Sequence, residues 1–297
     1  MATAKTKKKT TTTKKKSSTK KTTAKKAVAT TTVGTQNQNV FAGFFSRKFD
    51  PNENILTIFK TPKIWGAVIG ELVGTMFLAI FFLTLGVQPL YVVFGTIAIT
   101  IAVFALSGAN LNPLITVGMM ASRRMSAIRG VLYILAQVFG AFLGMLIVNS
   151  FRLGSGTSIE LPKMATMTDA TFWPVLFIEL FGAILLGFFF ARALRYKKNV
   201  VAFALTVTGG LTFAIIFGII VSQSFYEMSN AFVFNPAVAL VYQIFPSAGT
   251  FGAFAQVVFA YILLPLLGGA IGFYIADVAS RLAGEKCCCE QCKDCKK

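Results

Sequence analysis

Hydrophobic residues occur along this chain in six long runs, with short polar segments between them. Crossing the roughly 30 Å hydrocarbon core of a bilayer takes about 20 helical residues, and each run is close to that length. Runs this uniformly apolar lack the alternation that barrel strands require. The pattern therefore predicts an all-α membrane protein with six transmembrane helices, which we number as spans one to six. The spans lie near residues 65–86, 89–106, 128–149, 171–190, 200–221 and 251–276.

Composition supports the same class of protein. The 297 residues are 55% hydrophobic and only 13% charged, with a mean hydropathy of +0.68. A soluble domain would have about 25% charged residues. The chain contains no histidine, and we find neither a nucleophile constellation nor a cofactor motif, so we expect neither an enzyme nor a bound cofactor.

Two short apolar segments interrupt the pattern, and each begins with Asn-Pro. Asn112 and Pro113 follow span two, and Asn235 and Pro236 follow span five. Because Asn is a favoured N-cap and Pro a favoured first helical residue, each motif predicts the start of a helix. The segments are too short to span, and irregular backbone inside a bilayer is tolerated only where it is buried in protein or lines a water-filled path. We therefore expect two re-entrant half-helices.

The two halves of the chain resemble each other. Glu71 in span one and Glu179 in span four each begin a Glu-Leu-x-Gly-small pattern, 108 residues apart. Spans three and six share Tyr and Gly seven residues apart, starting at Tyr133 and Tyr261. Three spans per half make the halves cross the membrane in opposite directions, as in inverted-repeat transporters. The half-helices, over 113–120 and 236–244, would then enter from opposite faces and meet near the midplane.

This meeting point has the properties of a conduction path. Two helix N-termini create a positive potential there, which opposes cations and protons. The asparagines would cap their helices and direct amide N–H groups into the path. The preceding carbonyls would form a ladder of acceptors for a hydrogen-bonding molecule, and these are Gly108, Ala109, Asn110, Leu111, Ala231, Val233 and Phe234.

Two ionisable side chains within the spans have two interpretations, and one amide side chain has a structural one. Glu71 and Glu179 are ionisable groups inside the membrane, which is a common signature of function. One interpretation is a proton relay. The other is structural support, in which each carboxylate accepts hydrogen bonds from backbone N–H groups of a half-helix loop. Gln137 in span three is interpreted as a structural or pore-adjacent residue.

Basic residues are concentrated on one side of the predicted bundle. The chain has 29 Lys and Arg residues and a net charge of +18, and 27 of the 29 share one side if both termini lie there. The positive-inside rule makes that side cytoplasmic. Residues 1–60 are predicted to be a disordered basic cytoplasmic tail, because residues 1–40 are a low-complexity Lys/Thr/Ser segment. Two roles stay open for it, a solvated tail or attraction to anionic lipid.

All five cysteines lie in a second tail, residues 285–297. Adjacent cysteines near a membrane suit acylation, their spacing is compatible with a metal site, and an unmodified tail is the third possibility. No histidine or second spaced cysteine pair supports the metal. The candidate acylation sites are Cys287, Cys288, Cys289, Cys292 and Cys295.

The chain resembles the major intrinsic protein family, the aquaporins and aquaglyceroporins, over about residues 64–280. The family's first loop motif, Ser-Gly-Ala-His-x-Asn-Pro-Ala-Val-Thr, is matched at six positions, whereas Asn110 stands at the His position and Leu114 at that of the Ala after Pro. The matching residues are Ser107, Gly108, Ala109, Asn112, Pro113 and Thr116. The second Asn-Pro-Ala is intact and ends at Ala237. The resemblance implies a passive channel in a lipid bilayer, with one pore per subunit and usually a homotetramer. It also implies one channel domain over 61–284, with repeats at about 64–152 and 170–280.

The main departure from the family lies in its narrowest constriction. The family usually has Arg directly after the second Asn-Pro-Ala, where this chain has Val238. The other three constriction positions align with Phe94, Gly210 and Phe232, although Val92 is an alternative to Phe94. An apolar, uncharged constriction favours water and small uncharged solutes such as glycerol. Two other functions remain open: a gated or non-conducting structural protein of the same fold, and a secondary transporter.

Overall fold

The computed structural model describes residue 60 and residues 62–85, 88–155, 169–225, 232–241 and 251–285. Most of the predicted basic tail, the five cysteines and Ala231 lie outside these residues. Nine α-helices are present in the described part. They are α1 Pro62–Leu85, α2 Pro89–Ser107, α3 Pro113–Ala121, α4 Ala127–Ser155, α5 Asp169–Ala193, α6 Val200–Ile219, α7 Pro236–Val241, α8 Phe251–Val258 and α9 Leu264–Leu282.

Three short segments extend or join these helices. A 3-10 turn, Leu194–Tyr196, follows α5, and a π-helical segment, Ile220–Phe225, continues α6. A second π-helical segment, Phe259–Leu263, connects α8 to α9. It ends two residues before Pro265, which has no N–H to donate to the carbonyl of Tyr261. Instead, the N–H of Leu264 donates to the carbonyl of Phe259, five residues earlier.

The six predicted spans are confirmed. Within the described residues, six helical stretches are long and apolar enough to cross a membrane. The described secondary structure is entirely helical, as the hydrophobic pattern predicted. The spans are Pro62–Leu85, Leu90–Ser107, Ala127–Phe151, Thr171–Tyr196, Val200–Ser224 and Phe254–Leu282.

The helices pack as two equivalent sets. In the first half α1 lies against α4 and α2, and in the second α5 lies against α9 and α6. Glycines allow the closest of these contacts. A Cβ on Gly144 would lie 2.6 Å from the carbonyl oxygen of Met76, and a Cβ on Gly268 would lie 2.9 Å from that of Leu180. Small residues at such positions let helix backbones approach closely in membranes.

The short helices α3 and α7 tie the two halves together. Helix α3 packs against α9, and α7 packs against α4, so each short helix contacts a long helix of the other half. Gly118 of α3 faces the ring of Phe273, and Gly269 of α9 lies against the backbone of Leu114. Helices α2 and α6 also pack against each other. This exchange positions the N-termini of α3 and α7 for direct contact.

Candidate functional site

The N-termini of α3 and α7 meet through their asparagine caps. Asn112 Nδ2 donates a hydrogen bond to the carbonyl of Phe234 at 2.7 Å, and Asn235 Nδ2 donates to the carbonyl of Leu111 at 3.1 Å. Each Asn Oδ1 also accepts a backbone N–H of its own helix, from Leu114 at 3.0 Å and from Ala237 at 3.1 Å. The two caps therefore bond reciprocally, each to the residue that precedes the other.

The residue before each cap has a left-handed backbone. The φ angles are 55° at Leu111 and 53° at Phe234. A bulky residue in this region is uncommon and costs roughly 1–2 kcal/mol. In both loops this conformation presents the carbonyl to the asparagine of the other half. The strain is therefore placed where it completes the contact between caps.

Two buried carboxylates hold the loops before the caps. Glu71 of α1 accepts hydrogen bonds from the N–H groups of Asn110 at 2.9 Å and Leu111 at 2.7 Å. Glu179 of α5 accepts from Val233 at 2.7 Å and from Phe234 at 3.3 Å. In each half the donors are one and two residues before the cap. Both side chains are at most 1% exposed, so the N–H groups give these carboxylates partners that water cannot provide.

The support of the first loop is more extensive than that of the second. Gln137 Nε2 donates to Glu71 Oε2 at 2.6 Å and to Thr116 Oγ1 at 2.9 Å. In the second half the corresponding position of the repeat is Pro265, whose side chain has no donor. Pro265 therefore offers Glu179 no side-chain donor, and the backbone N–H groups of Val233 and Phe234 donate to this carboxylate instead.

A cavity lies beside the meeting caps. The space open to the centre of a water molecule is about 40 Å³, and one water needs roughly 10–15 Å³ measured in this way. Asn110, Asn112 and Asn235 contribute polar groups, and Ala109, Leu111, Val233 and Phe234 also face it. The long helices contribute the remaining wall residues, which are Leu78, Phe82, Thr96, Thr100, Leu186, Val207 and Leu211, together with Ile115 of α3.

The structure corrects two of the four predicted constriction residues. Phe94 is 65% exposed, and it lies on the outer face of α2 with Tyr91, whereas the cavity is lined by Thr96 and Thr100. Gly210 is buried against Phe189 of α5, where an added Cβ would be 2.7 Å from the ring carbon Cγ. It therefore serves helix packing and does not widen a passage.

The other two predicted constriction residues are deeply buried. Phe232 and Val238 are at most 1% exposed, and neither belongs to the walls of the cavity. The ring of Phe232 stacks on that of Phe234 with 5.0 Å between centroids. On α2 the buried residue two positions before Phe94 is Val92, at 1% exposure. The alternative alignment at Val92 is therefore the one consistent with the inner face of α2.

The sequence analysis did not identify two threonines of α2 as residues of the cavity wall. Thr96 and Thr100 lie one helical turn apart on the face that also buries Val92, Ile99 and Val103. Their spacing of four residues was a usable signal, because residues four apart share a helix face. The phase of α2 around its axis was the missing information, since the span is apolar on every side.

Charged pairs lie where the long helices end. Arg124, after α3, donates to Asp277 of α9 at 2.7 Å, with its guanidinium 5.5 Å from the ring centre of Phe273. After α9, Glu285 accepts hydrogen bonds from Arg192 at 2.6 and 3.1 Å and pairs with Arg195. The hydrogen bond from Arg192 is the main cause that lowers the pKa of Glu285 to about 2.

Across the described residues, no group of three or more His, Cys, Asp or Glu side chains could hold a metal.

The comparisons with known proteins agree with this architecture. The family model described as Major intrinsic protein matches residues 58–276. The chain belongs to the major intrinsic protein family. Members of this family are membrane channels, and the six spans make this chain a multi-pass integral membrane protein with the family's aquaporin-like fold.

Relatives within the family are distant. The lens fiber major intrinsic protein of Lithobates pipiens is 26% identical over 71% of this chain and 86% of its own length. The glycerol uptake facilitator protein-like 6 of Lactiplantibacillus plantarum is 29% identical over 61% of this chain and 81% of its own length. The X-ray structure of the aquaglyceroporin from Plasmodium falciparum is 20% identical, covers 73% of this chain and 95% of that one, and has a TM-score of 0.48.

Proposed function

We propose that this protein is a passive channel for water and small uncharged solutes such as glycerol. The observation that carries the proposal is the reciprocal contact of Asn112 and Asn235 beside a cavity of about 40 Å³. An amide nitrogen has two N–H donors, and the cap contact uses one from each asparagine. Each cap therefore keeps one donor for a molecule in the cavity.

The same geometry opposes ions. Helices α3 and α7 begin at the cavity, and each helix N-terminus has a positive partial charge. A cation that enters would meet both helix ends, and the two buried carboxylates that hold the cap loops are already hydrogen-bonded. Glu71 and Glu179 are engaged by backbone N–H groups of the two loops. Their engagement favours a channel over a transporter that would need these carboxylates for a coupling ion.

The walls fit a solute with carbon as well as hydroxyl groups. Most of the side chains that the long helices contribute to the cavity are apolar, namely Leu78, Phe82, Leu186, Val207 and Leu211. We propose that Val92, Phe232 and Val238 make an uncharged constriction beyond this lining, in the place where the family usually has an Arg. An apolar surface lowers the cost of dehydrating a carbon backbone. The name of the Lactiplantibacillus plantarum relative describes glycerol uptake, which agrees with a polyol as permeant.

The wider organisation of the protein is part of the proposal. We place both termini in the cytoplasm, with residues 61–284 as the channel domain and the basic tail near anionic lipid. The five C-terminal cysteines are the proposed acylation sites. We also propose a homotetramer, which is the usual assembly of the family that this chain resembles.

Flux through reconstituted liposomes tests the function. Shrinkage and re-swelling under a glycerol gradient, followed by light scattering, should be faster than in protein-free liposomes. Val207→Phe puts a larger side chain into the cavity wall and should lower the flux to the protein-free rate. Val201→Phe is the matched control, because Val201 lies on the same helix and is 50% exposed on its outer face.

Three outcomes would contradict the proposal. Glycerol and water rates equal to those of protein-free liposomes would favour the non-conducting interpretation of the fold. Solute accumulation against its gradient, driven by protons or sodium, would favour a secondary transporter. Equal loss of flux in both Val variants would show that the cavity beside the caps is not the path.

A further inference from the structure

The cavity beside the caps has one polar wall among its long helices. Thr96 and Thr100 of α2 both line it, next to the loop that contains Asn110 and Asn112. The equivalent wall from α6 is formed by Val207 and Leu211, which have the same spacing of four residues. The two helices are counterparts in the inverted repeat, so the repeat presents hydroxyl-bearing side chains to the cavity from α2 and apolar side chains from α6.

The hydroxyl of Thr96 lacks the backbone partner that three other threonines in these helices have. Thr84, Thr206 and Thr212 each donate to the carbonyl four residues earlier, at 2.6 to 2.8 Å. Thr96 Oγ1 is buried and has no hydrogen-bond partner among the residues that the structure describes. A buried polar group without a partner is costly, so a partner from the cavity would stabilise it.

Rotation of the side chain makes this partner reachable. Thr96 is 5% exposed and lines the cavity, and helical threonine divides between two χ1 rotamers. Exchange of the rotamers moves the hydroxyl toward the position of the methyl group. The hydroxyl can therefore turn to a molecule in the cavity without movement of the backbone.

We propose that Thr96 and Thr100 form a hydroxyl-binding wall that selects polyols as they pass the asparagine caps, an inference that rests on the proposed channel function. A polyol places its hydroxyl groups toward α2 and the cap amides. Its carbon atoms then face Leu186 of α5 and the apolar residues of α6. Water gains less from this arrangement, because it has no carbon atoms to place against the apolar residues.

Replacement of each hydroxyl by a methyl group tests the wall. Thr96→Val and Thr100→Val keep the shape of the side chain, and a lost hydrogen bond corresponds to roughly five-fold in rate. We expect glycerol flux in liposomes to fall by about this factor in Thr96→Val, with water flux changed much less. Thr96→Ser, which restores a hydroxyl, should recover the glycerol flux. A second solute, 1,3-propanediol, lacks the central hydroxyl and should be less affected by Thr96→Val than glycerol is.

Two buried threonines away from the cavity provide matched controls. Thr75 Oγ1 and Thr208 Oγ1 are also without a partner among the described residues, and neither side chain lines the cavity. Thr75→Val and Thr208→Val should therefore leave the ratio of glycerol to water flux unchanged. Thermal unfolding of each variant in detergent shows whether it is folded.

The outcomes separate this inference from the proposed function. A wild-type protein that conducts neither solute overturns both. A wild type that conducts glycerol while Thr96→Val and Thr100→Val leave the glycerol-to-water ratio unchanged overturns the wall alone. The same change of ratio in Thr208→Val would also overturn it. A selective loss in the α2 variants with recovery in Thr96→Ser supports it.

Discussion

Gly108 is a residue of the first cap loop at which the backbone itself requires glycine. Its φ angle is 84°, and nothing lies within 4 Å of the place where a Cβ would be. Space is therefore available, and the conformation alone opposes a side chain. A left-handed backbone costs other residues roughly 1–2 kcal/mol. Because no neighbour would clash with a Cβ, a substitution of Gly108 measures this conformational cost alone.

Gly108→Ala should lower the free energy of unfolding by about 1 kcal/mol, because alanine resists a left-handed backbone. Gly66→Ala is the matched control. Gly66 lies within helix α1 and also has nothing within 4 Å of a Cβ, so alanine there should raise stability by roughly 0.5–1 kcal/mol. Unfolding in detergent, followed by circular dichroism, measures both. Equal effects of the same sign would contradict the conformational explanation.

The side chain of Gln137 should contribute substantially to the free energy of unfolding, although its amide is uncharged. Its Nε2 atom bonds both Glu71 and Thr116, so Gln137→Leu leaves two buried acceptors short of a donor. We expect a loss of roughly 1–3 kcal/mol in the free energy of unfolding. A double-mutant cycle with Thr116→Val measures the coupling. Strict additivity of the two losses would show that the Gln137–Thr116 bond is not important.

Single residues also show where sequence information was sufficient and where it was not. Asn112 and Asn235 could be assigned as caps because Asn-Pro has a local physical meaning. Phe94 could not be placed correctly, because every face of α2 is apolar and the orientation of the helix depends on its neighbours. Asp277, at the end of α9, is 6% exposed and accepts a hydrogen bond from Arg124, 153 residues earlier in the chain. A contact of that range has no local signal.

The contact between α1 and α4 depends on the absence of side chains at particular positions. On α4, Gly144 lies against the carbonyl of Met76, at 2.6 Å from an added Cβ, while Gly154 has nothing within 4 Å. A backbone carbonyl cannot move aside as the end of a flexible side chain can. The helices would have to separate to admit even a methyl group.

Gly144→Ala should therefore destabilise the protein by roughly 1–3 kcal/mol, the usual range for an overpacked contact. Gly154→Ala, on the same helix, should have little effect or stabilise slightly. Thermal unfolding in detergent compares the two, with purified yield as an independent check. A neutral Gly144→Ala would mean that α1 and α4 can adjust their separation without cost.

The sequence predicted the positions of the six spans but not the local departures from α-helical geometry within them. Length and hydropathy were sufficient for the six spans, because a bilayer sets both. The π-helical segments Ile220–Phe225 and Phe259–Leu263 had no such signal. Hydrophobic periodicity does not distinguish a single wide turn from an α-helical one. Pro265 marked a local disturbance, but whether the helix would kink, break or widen there depends on the packing of α9 against α5.

At the scale of the whole molecule, a pair of salt bridges joins the ends of α5 and α9. The carboxylate of Glu285, after α9, pairs with the guanidinium groups of Arg192 and Arg195. The pKa of Glu285 is lowered to about 2 from an ordinary value of 4.5, first by the hydrogen bond from Arg192. The unfolded chain therefore binds this proton at a higher pH than the folded chain does. The stabilisation is complete above about pH 4.5 and is lost as the pH falls toward 2.

Glu285→Gln should lower the melting temperature at pH 6 and matter progressively less as the pH falls from 4.5 to 2. Melting curves in detergent across this range, for the wild type and the variant, give the difference directly. Because both partners are partly exposed, added salt should reduce the difference at pH 6. A difference that stays constant down to pH 2 would mean that the charge of Glu285 does not contribute.

The crossed asparagine bonds have a consequence for the order in which the chain is made. They join positions 122 and 124 residues apart, and a growing polypeptide delivers its amino-terminal part first. The side-chain amide of Asn112 therefore stays without its partner, the carbonyl of Phe234, until the ribosome has synthesised the second half of the chain. Separately expressed halves should each be inert, and their co-expression should restore transport, since neither fragment encodes a complete pair.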